Sequence, residues 1–243
     1  MNIVDNIKLY YSLFKKNKSA SLKERLDSYY KLQAEIYDKS RKDLLHGREE
    51  LYQKLNSMKK SITWLDLGGG TGGNFECLGD GINNIDKAYI IDICQPLLDV
   101  ARRRVKDLGW DQFEVLDGNI TQSLAHIGKV DIVTCSYSLS MSEDWFKVID
   151  NAYELLNESG LIGVVDFYVA RKHVDDIHRR QKALSRFFWQ IWFAYDNVFL
   201  SPDHIPYLEY KFSTERLFED RKRMFFPPVL KAPYYSFIGR KLG

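Results

Sequence analysis

Residues 64–74, WLDLGGGTGGN, join a short apolar run to a loop that contains five glycines. Glycine lets the backbone turn sharply at the end of a strand and come close to a ligand. A helix that begins after such a loop presents unpaired N–H groups to that ligand. The stretch therefore predicts a buried strand, a ligand-binding turn and the start of a helix.

Apolar runs of strand length alternate with helical periodicity after this loop. The predicted strands are ITWLDL, AYIIDI, FEVLDG, VDIVTCSYS and LIGVVDFYV, then YLEYKFS and APYYSFIGRK, with helices at PLLDVARRRVKDLG and WFKVIDNAYELLN. Strands that alternate with helices require crossover connections, and hence parallel strands covered on both faces. We predict an α/β fold: a doubly wound, mostly parallel seven-stranded sheet, with helices before it and an insertion after its fifth strand.

Residues 1–60 are predicted to form a helical segment that packs on or caps the active site, and residues 61–243 the sheet domain. Helices are expected at residues 21–45 and 48–58. Residues 3–14 carry an apolar helical stripe that ends in Lys15, Lys16 and Lys18. Such a helix either lies at a membrane interface or packs against the sheet.

Residues 186–200, RFFWQIWFAYDNVFL, concentrate rings within the predicted insertion at residues 171–206. A membrane span needs roughly twenty apolar residues, and polar side chains interrupt this shorter run. The stretch is instead predicted to be a core helix, a pocket wall or a surface that touches lipid.

Composition narrows the class of protein. A formal charge of +2 with 28% charged residues is too even to predict nucleic-acid binding. The three cysteines, Cys77, Cys94 and Cys135, are predicted to be reduced core residues. No signal peptide or metal site is expected, and we place the protein in the cytoplasm, peripheral on a membrane face.

The glycine spacing fits two cofactor classes. Gly68, Gly70 and Gly73 form G-x-G-x-x-G, and Asp92 follows at the distance typical of NAD-binding folds. Asp66 together with Gly68, Gly70 and Gly72 forms D-x-G-x-G-x-G, which resembles the first motif of class I S-adenosylmethionine-dependent methyltransferases. Asp66 would repel a pyrophosphate but would pair with the ammonium of S-adenosylmethionine, so we favour the methyltransferase. An NAD-dependent oxidoreductase, with a Tyr-x-x-x-Lys pair at Tyr168 or Tyr207, is the alternative.

The methyltransferase resemblance implies a cofactor site at the ends of the strands. Asp92 would accept hydrogen bonds from ribose hydroxyls. Asn119, or alternatively Asp117, would read the adenine amino group, and Tyr37 would close over the cofactor. The predicted cofactor-binding residues are Tyr37, Arg41, Asp66, Gly68, Gly69, Gly70, Gly72, Asp92, Ile93, Asp117, Asn119, Ile120 and Ser136.

A narrower resemblance covers residues 22 to 241. The segments WLDLGGGTGGN, CQPLLDVARRR, CSYSLSM, GVVDFYV, FFWQIWFAYDNVFL, YLEYKF and PYYSFIGRK resemble the methyltransferase half of betaine lipid synthases. This resemblance implies successive N-methylation of diacylglyceryl-homoserine to diacylglyceryl-N,N,N-trimethylhomoserine. The homoserine-transferring activity of the bifunctional relatives has no room here, so another protein or domain is expected to supply it.

A trimethylammonium product cannot donate a hydrogen bond, and aromatic faces suit it at roughly 0.5 to 2 kcal/mol per ring. We predict Tyr37 and Tyr137 as catalytic residues, with core packing as the alternative for each ring. The predicted substrate-binding residues are Tyr168, Arg186, Trp192, Tyr195 and Tyr210. Arg41 or Arg186 would hold the substrate carboxylate. A non-catalytic lipid-binding subunit with the same fold is a further alternative.

Overall fold

The computed structural model describes residues 22–31, 34–41, 44–173, 180–194, 197–224 and 230–242. The apolar stripe predicted at residues 3–14 lies outside these ranges. The strands are β1 (Ile62–Leu67), β2 (Ile85–Asp92), β3 (Phe113–Asp117), β4 (Val130–Ser136), β5 (Leu156–Phe167), β6 (Phe212–Arg223) and β7 (Lys231–Lys241). The α-helices are α1 (Leu22–Tyr30), α2 (Tyr37–Arg41), α3 (Arg48–Met58), α4 (Gln95–Asp107), α5 (Trp145–Leu155), α6 (Ala183–Ala194) and α7 (His204–Lys211).

The seven strands form one sheet in the order β3-β2-β1-β4-β5-β7-β6. Strands β1 to β5 pair with one another in parallel, whereas β7 runs antiparallel to both β5 and β6. The α/β prediction is therefore confirmed. The chain order reverses between the adjacent strands β1 and β4, and ligands of doubly wound sheets bind in the crevice beyond such a point.

Alternate residues of the strands pack on opposite faces of the sheet. Trp64 of β1 stacks on Tyr52 of α3 with ring centroids 5.4 Å apart, and Phe75 meets both rings edge-on. Leu65 belongs to the apolar cluster on the opposite face. This alternation is what places helices on both sides of the sheet.

Residues 21–45, predicted as one helix, are broken into α1, a 3-10 turn at Ala34–Ile36 and α2. Ala34 packs with Cys94 and Leu97, and Leu26, Tyr30 and Tyr37 lie against the same cluster. Leu26, Tyr30, Ala34 and Tyr37 are spaced as one face of a helix. In the structure this face packs against Cys94 and Leu97, at the start of α4.

Two further predictions of secondary structure are wrong. Residues 207–211, expected in a strand, belong to α7, where Ile205 and Leu208 are buried about one helical turn apart. The segment after the glycine loop is a 3-10 helix, Gly73–Asn84, with non-helical geometry at Gly79. The expected α-helix is therefore absent from this part of the described chain.

His204, at the start of α7, is fully buried. Its ring packs edge-on against Trp145 at 4.9 Å, and the Tyr235 ring of β7 lies 6.2 Å away. Neither ring nitrogen has a hydrogen-bond partner among the described residues. Burial lowers the pKa of His204 to about 3, although the neighbouring Asp203 carboxylate opposes the shift. The imidazole is therefore neutral at ordinary pH.

Candidate cofactor and substrate site

A pocket opens at the carboxyl ends of β1, β2 and β4, beside the reversal of strand order. Elements distant in sequence build its wall: the glycine loop, the ends of three strands and the helices α1 and α2. The lining residues are Leu26, Tyr30, Tyr37, Gly68, Gly70, Asp92, Ile93, Cys94, Leu97, Gly118, Asn119, Ile120, Thr121, Ser136, Tyr137, Ser138, Met141 and Ser142.

Three glycines of the loop cannot be replaced without strain. Gly68, Gly70 and Gly72 have φ values of 73°, 54° and 70°, which L side chains rarely adopt. A Cβ atom on Gly68 would lie only 2.5 Å from the Cβ of Ser138. The loop thus leaves backbone exposed to the pocket where a cofactor would approach. Gly69 and Gly72, also predicted to bind it, pack behind the loop against Ile90.

Asp92 ends β2 and holds the loop to the next helix. One carboxylate oxygen accepts a hydrogen bond from the Gly70 N–H at 3.0 Å, and the other accepts one from the Cys94 N–H at 2.9 Å. Burial raises the pKa of Asp92, while these backbone donors act against the shift. Each oxygen keeps a second lone pair, so the carboxylate can still accept a hydrogen bond from a ribose hydroxyl.

The structure separates the two candidates for adenine recognition. Asn119 lines the pocket, whereas Asp117 lies outside it and pairs with Lys23 at 2.5 Å. The Asn119 side-chain oxygen accepts hydrogen bonds from the Thr121 N–H at 3.0 Å and its hydroxyl at 2.8 Å. Both lone pairs of that oxygen are used, so the Asn119 side chain has its NH₂ donors left for a ligand and no acceptor for an adenine amino group.

Asp66 lies beneath the loop rather than on the pocket wall. Its fully buried carboxylate accepts hydrogen bonds from Tyr52 at 2.7 Å and Thr134 at 2.8 Å, and Asn74 lies at 3.5 Å. Burial raises its pKa to about 6, and the three donors oppose that shift. The sequence predicted that Asp66 pairs with the cofactor ammonium. In the structure Asp66 instead lies behind the loop, where a Cβ atom on Gly69 would be only 2.8 Å from its Oδ2, and it supports the loop from below.

The end of β4 contributes an unpaired polar atom. Ser136 Oγ is buried against the pocket and has no hydrogen-bond partner among the described residues. A buried hydroxyl without a hydrogen-bond partner lowers stability by roughly 1–3 kcal/mol, unless a ligand supplies that partner. A polar group of a bound cofactor could supply the missing hydrogen bond. This is the second sign, after the exposed backbone of the glycine loop, that the pocket fits S-adenosylmethionine.

Tyr137 follows Ser136 in a strained backbone conformation, with φ of 54°. Its hydroxyl donates to the His46 carbonyl at 2.7 Å, and its ring lies 4.7 Å from that of Phe167. Non-glycine residues with positive φ cluster at functional sites because their surroundings must hold them there. The predicted catalytic tyrosine is thus fixed as a ring in the wall, with its hydroxyl already engaged.

The segment over the pocket contains the other predicted catalytic tyrosine. Tyr37 lines the pocket and meets the Tyr30 ring edge-on at 5.5 Å. The Arg41 guanidinium lies 5.9 Å from the Tyr37 ring centroid and does not line the pocket. Burial raises the pKa of Tyr37, and Arg41 is the first of the groups that lower it.

The same segment is held to the sheet domain by polar contacts. The Asp38 carboxylate accepts hydrogen bonds from Thr71 at 2.8 Å and from Arg104 at 2.6 Å. The Gln95 N–H, at the start of α4, donates to Asp27 at 2.8 Å. The described parts of residues 22–41 are therefore held against the glycine loop and the start of α4.

The predicted substrate-binding residues are not brought together. Tyr168 packs under the sheet against Tyr235 at 5.6 Å, because it points to the face opposite Phe167. Trp192 faces outward from α6, and Tyr210 is 80% exposed on α7. Arg186 is half-buried on α6, and its Nε has no partner among the described residues. Tyr195 lies outside the described residues.

Sequence reasoning missed several residues of the wall. Leu26 and Tyr30 line the pocket, yet no motif contains them, and Met141, the last residue of the segment CSYSLSM, was given no role. For α1, the helical stripe that includes Leu26 and Tyr30 was the available signal, but periodicity does not tell what the stripe packs against. Phe167 does not line the pocket, but its ring lies against Tyr137 and supports the wall. The alternation of side chains along β5 was the signal that could have placed Phe167 on this face of the sheet.

A loop with glycines at positive φ, a carboxylate ending β2 and a polar residue after β3 together define the cofactor site of a class I methyltransferase. The family model described as "ubiE/COQ5 methyltransferase family" matches residues 22–208. The chain belongs to this family, and S-adenosylmethionine is its cofactor. The NAD-dependent alternative is thereby set aside. Consistently, Tyr207 and Lys211 both contact Asp150 on α5, and neither residue lines the pocket.

Two curated relatives are similar to part of the chain. A demethylmenaquinone methyltransferase of Lactococcus lactis is 23% identical over 148 residues, which are 59% of this chain and 58% of that protein. A demethylmenaquinone methyltransferase of Oceanobacillus iheyensis is 22% identical over 153 residues, 61% of this chain and 64% of that protein. The chain thus matches less than two thirds of the length of either relative.

Solved structures show the same fold. The N-methyltransferase NodS of Bradyrhizobium japonicum, in complex with S-adenosyl-L-homocysteine, superposes with a TM-score of 0.60 at 14% identity and covers 98% of both chains. A methyltransferase structure from Bacillus halodurans gives a TM-score of 0.65 at 16% identity, over 81% of this chain and 99% of that chain.

Proposed function

We propose that this methyltransferase methylates the amino group of diacylglyceryl-homoserine three times, forming diacylglyceryl-N,N,N-trimethylhomoserine. The resemblance of the chain to betaine lipid synthases supports the substrate, and the chemistry of the pocket supports the reaction. A separate homoserine-transferring protein or domain would supply the lipid. The cofactor-binding roles predicted from the sequence are part of the same proposal.

The observation that carries the proposal is the lack of a side-chain base on the described wall. Asp92 is the one carboxylate among those lining residues, and both its oxygens already accept backbone hydrogen bonds. The described lining contains no histidine or lysine, and burial raises the pKa of the Cys94 thiol well above its ordinary value. An amine with a free lone pair attacks without a base, whereas a hydroxyl nucleophile would need one.

The amine must lose its proton before it reacts. If its pKa lies between those of an α-amino group and lysine, deprotonation at neutral pH costs about 1 to 5 kcal/mol. Desolvation in the pocket reduces this cost because it disfavours the ammonium. Bound S-adenosylmethionine supplies a methyl group on a positively charged sulfur. The residues of this chain are left to position the amine and to exclude water.

Aromatic rings suit the methylated product. Tyr30, Tyr37 and Tyr137 all line the pocket. Because the Tyr137 hydroxyl donates to a backbone carbonyl, its ring cannot easily leave the wall. A trimethylammonium over such rings gains roughly 0.5–2 kcal/mol per ring without needing a hydrogen-bond acceptor.

A second candidate comes from family membership. The two curated relatives are named demethylmenaquinone methyltransferases, so methylation of demethylmenaquinone is the alternative activity for this chain. Both candidate acceptors are lipid-soluble, and a direct comparison of the two separates them.

The deciding experiment incubates the purified protein and S-adenosylmethionine with either lipid in detergent micelles, followed by mass spectrometry. We expect diacylglyceryl-homoserine to gain three methyl groups and demethylmenaquinone to remain unchanged. Asp92→Ala should abolish the reaction, whereas Asp107→Ala, at an exposed site on α4, should retain it. Methylation of demethylmenaquinone alone would establish the second candidate.

The third alternative, a non-catalytic lipid-binding subunit, requires a test in cells. In a host that makes diacylglyceryl-homoserine, Asp92→Ala should stop betaine-lipid formation if the chain is the catalyst. Unchanged formation with this variant, together with no methylation in vitro, would leave only a scaffolding role.

A further inference from the structure

The outward face of α6 exposes large apolar side chains that nothing in the described structure covers. Leu184, Phe187 and Ile191 are 84%, 65% and 57% exposed, and they recur at the spacing of one helix face. Phe188 and Trp192 extend this face. The opposite side of the helix buries Trp189 and Phe193 in the core. The helix therefore carries large apolar side chains on two sides, and only one of these sides is packed against protein.

This helix is too short to cross a bilayer. Its 12 residues rise about 18 Å, against a hydrocarbon core of about 30 Å. Across the described residues, no helix combines the length and apolar character that a membrane span requires. A short helix with such a face can lie in the plane of a membrane interface instead.

The charges around the face are positive. Arg180 and Lys182 are exposed just before α6, and residues 180–194 contain no acidic residue. Each lysine or arginine near an anionic membrane surface contributes about 1 kcal/mol of attraction.

The inner side of α6 connects to the pocket wall. The Phe193 ring is 4.5 Å from Phe167, and Phe167 is 4.7 Å from Tyr137 on the pocket wall. The helix that carries the exposed apolar face is thus joined to the site by two ring contacts.

We infer that the outward face of α6 docks on the surface of an anionic lipid bilayer. A second copy of the chain is a poorer occupant, because a two-fold interface would bring the same basic residues of both copies together. An anionic bilayer can bury the exposed apolar side chains among its acyl chains and pair the basic side chains with its negatively charged head groups. This inference goes beyond the proposed function, since it concerns the surface and not the methyl acceptor.

The test measures flotation of the full chain with phosphatidylcholine vesicles, with and without phosphatidylglycerol. The triple variant Leu184→Ser, Phe187→Ser, Ile191→Ser removes exposed apolar side chains only, so the fold should persist. We expect at least about tenfold weaker binding to the anionic vesicles, and high salt should weaken wild-type binding. The control, Leu108→Ser with Leu242→Ser, changes exposed leucines elsewhere and should bind like the wild type.

Folding of the triple variant is checked by circular dichroism and by S-adenosylmethionine binding, both of which should match the wild type. Equal vesicle binding by the triple variant would overturn the inference, as would equal binding of the wild type to neutral vesicles. A wild-type dimer that the variant converts to a monomer, with no vesicle binding by either, would assign the face to a second copy. Vesicle binding by a protein inactive on both candidate lipids would refute the proposed function alone.

Discussion

His204 should lower the stability of the protein in mild acid. Its pKa is about 3 in the folded protein, against an ordinary value of 6.5. Between these values the unfolded chain binds a proton that the folded protein does not, so acidification favours unfolding. From about pH 7.5 to about pH 5, this difference removes about 2 kcal/mol from the free energy of unfolding, at 1.36 kcal/mol per pH unit below 6.5.

The variant His204→Phe removes the titration while keeping a planar ring beside Trp145 and Tyr235. It breaks no side-chain hydrogen bond among the described residues, so the variant should be at least as stable as the wild type at about pH 7.5. At about pH 5 its advantage over the wild type should grow by about 2 kcal/mol. Urea unfolding at both pH values, followed by circular dichroism, measures the change.

Two buried carboxylates titrate in the opposite sense. Burial raises the pKa values of Asp66 and Asp166 to about 6, so their protonation favours the folded state as the pH falls. Both residues are present in the wild type and in the variant, and their contribution cancels in the difference. A stability difference that stays constant between the two pH values would refute the assignment of acid sensitivity to His204.

Two further substitutions test the site and its support. Gly68→Ala should weaken S-adenosylmethionine binding at least about tenfold by calorimetry, because its Cβ would meet Ser138 at 2.5 Å. Gly109→Ala, also at positive φ but with no atom within 4 Å, carries the backbone strain alone and should bind normally; equal binding by both variants would contradict the argument. Tyr52→Phe should lower the free energy of unfolding by about 1–3 kcal/mol, because Asp66 loses a buried donor. The control Tyr210→Phe, at an exposed site, should leave the free energy of unfolding unchanged. A Tyr52→Phe variant as stable as the wild type would contradict the role of Asp66 as a support for the loop.

The sheet and the cofactor loop could be predicted because their signals are local. A glycine run after an apolar strand predicts both a tight turn and a ligand-binding loop. Asp92 and Asn119 follow at the ends of parallel strands, which the topology brings to one edge of the sheet. Asp66 belongs to the same motif, yet its neighbours Tyr52 and Thr134 are distant in sequence. Its burial could therefore not be read from the motif itself.

The substrate side was harder to predict because ring-rich segments do not state which way each ring faces. A one-residue step along β5 separates Phe167, which abuts Tyr137, from Tyr168 on the other face of the sheet. Tyr210 looked like a strand residue and lies on a helix instead. The direction of such side chains depends on tertiary packing, which the composition of a segment does not determine.

The position of β7 has a consequence for synthesis of the chain. This strand lies between β5 and β6, so β6 has no other neighbour in the sheet. Until residues 231–241 emerge from the ribosome, the nascent chain holds an open strand edge on β5 and an unpaired β6. Exposed strand edges of this kind favour aggregation and chaperone binding. Completion of the sheet therefore waits for β7, and a ribosome stalled before Lys231 would present a chain that depends on chaperones.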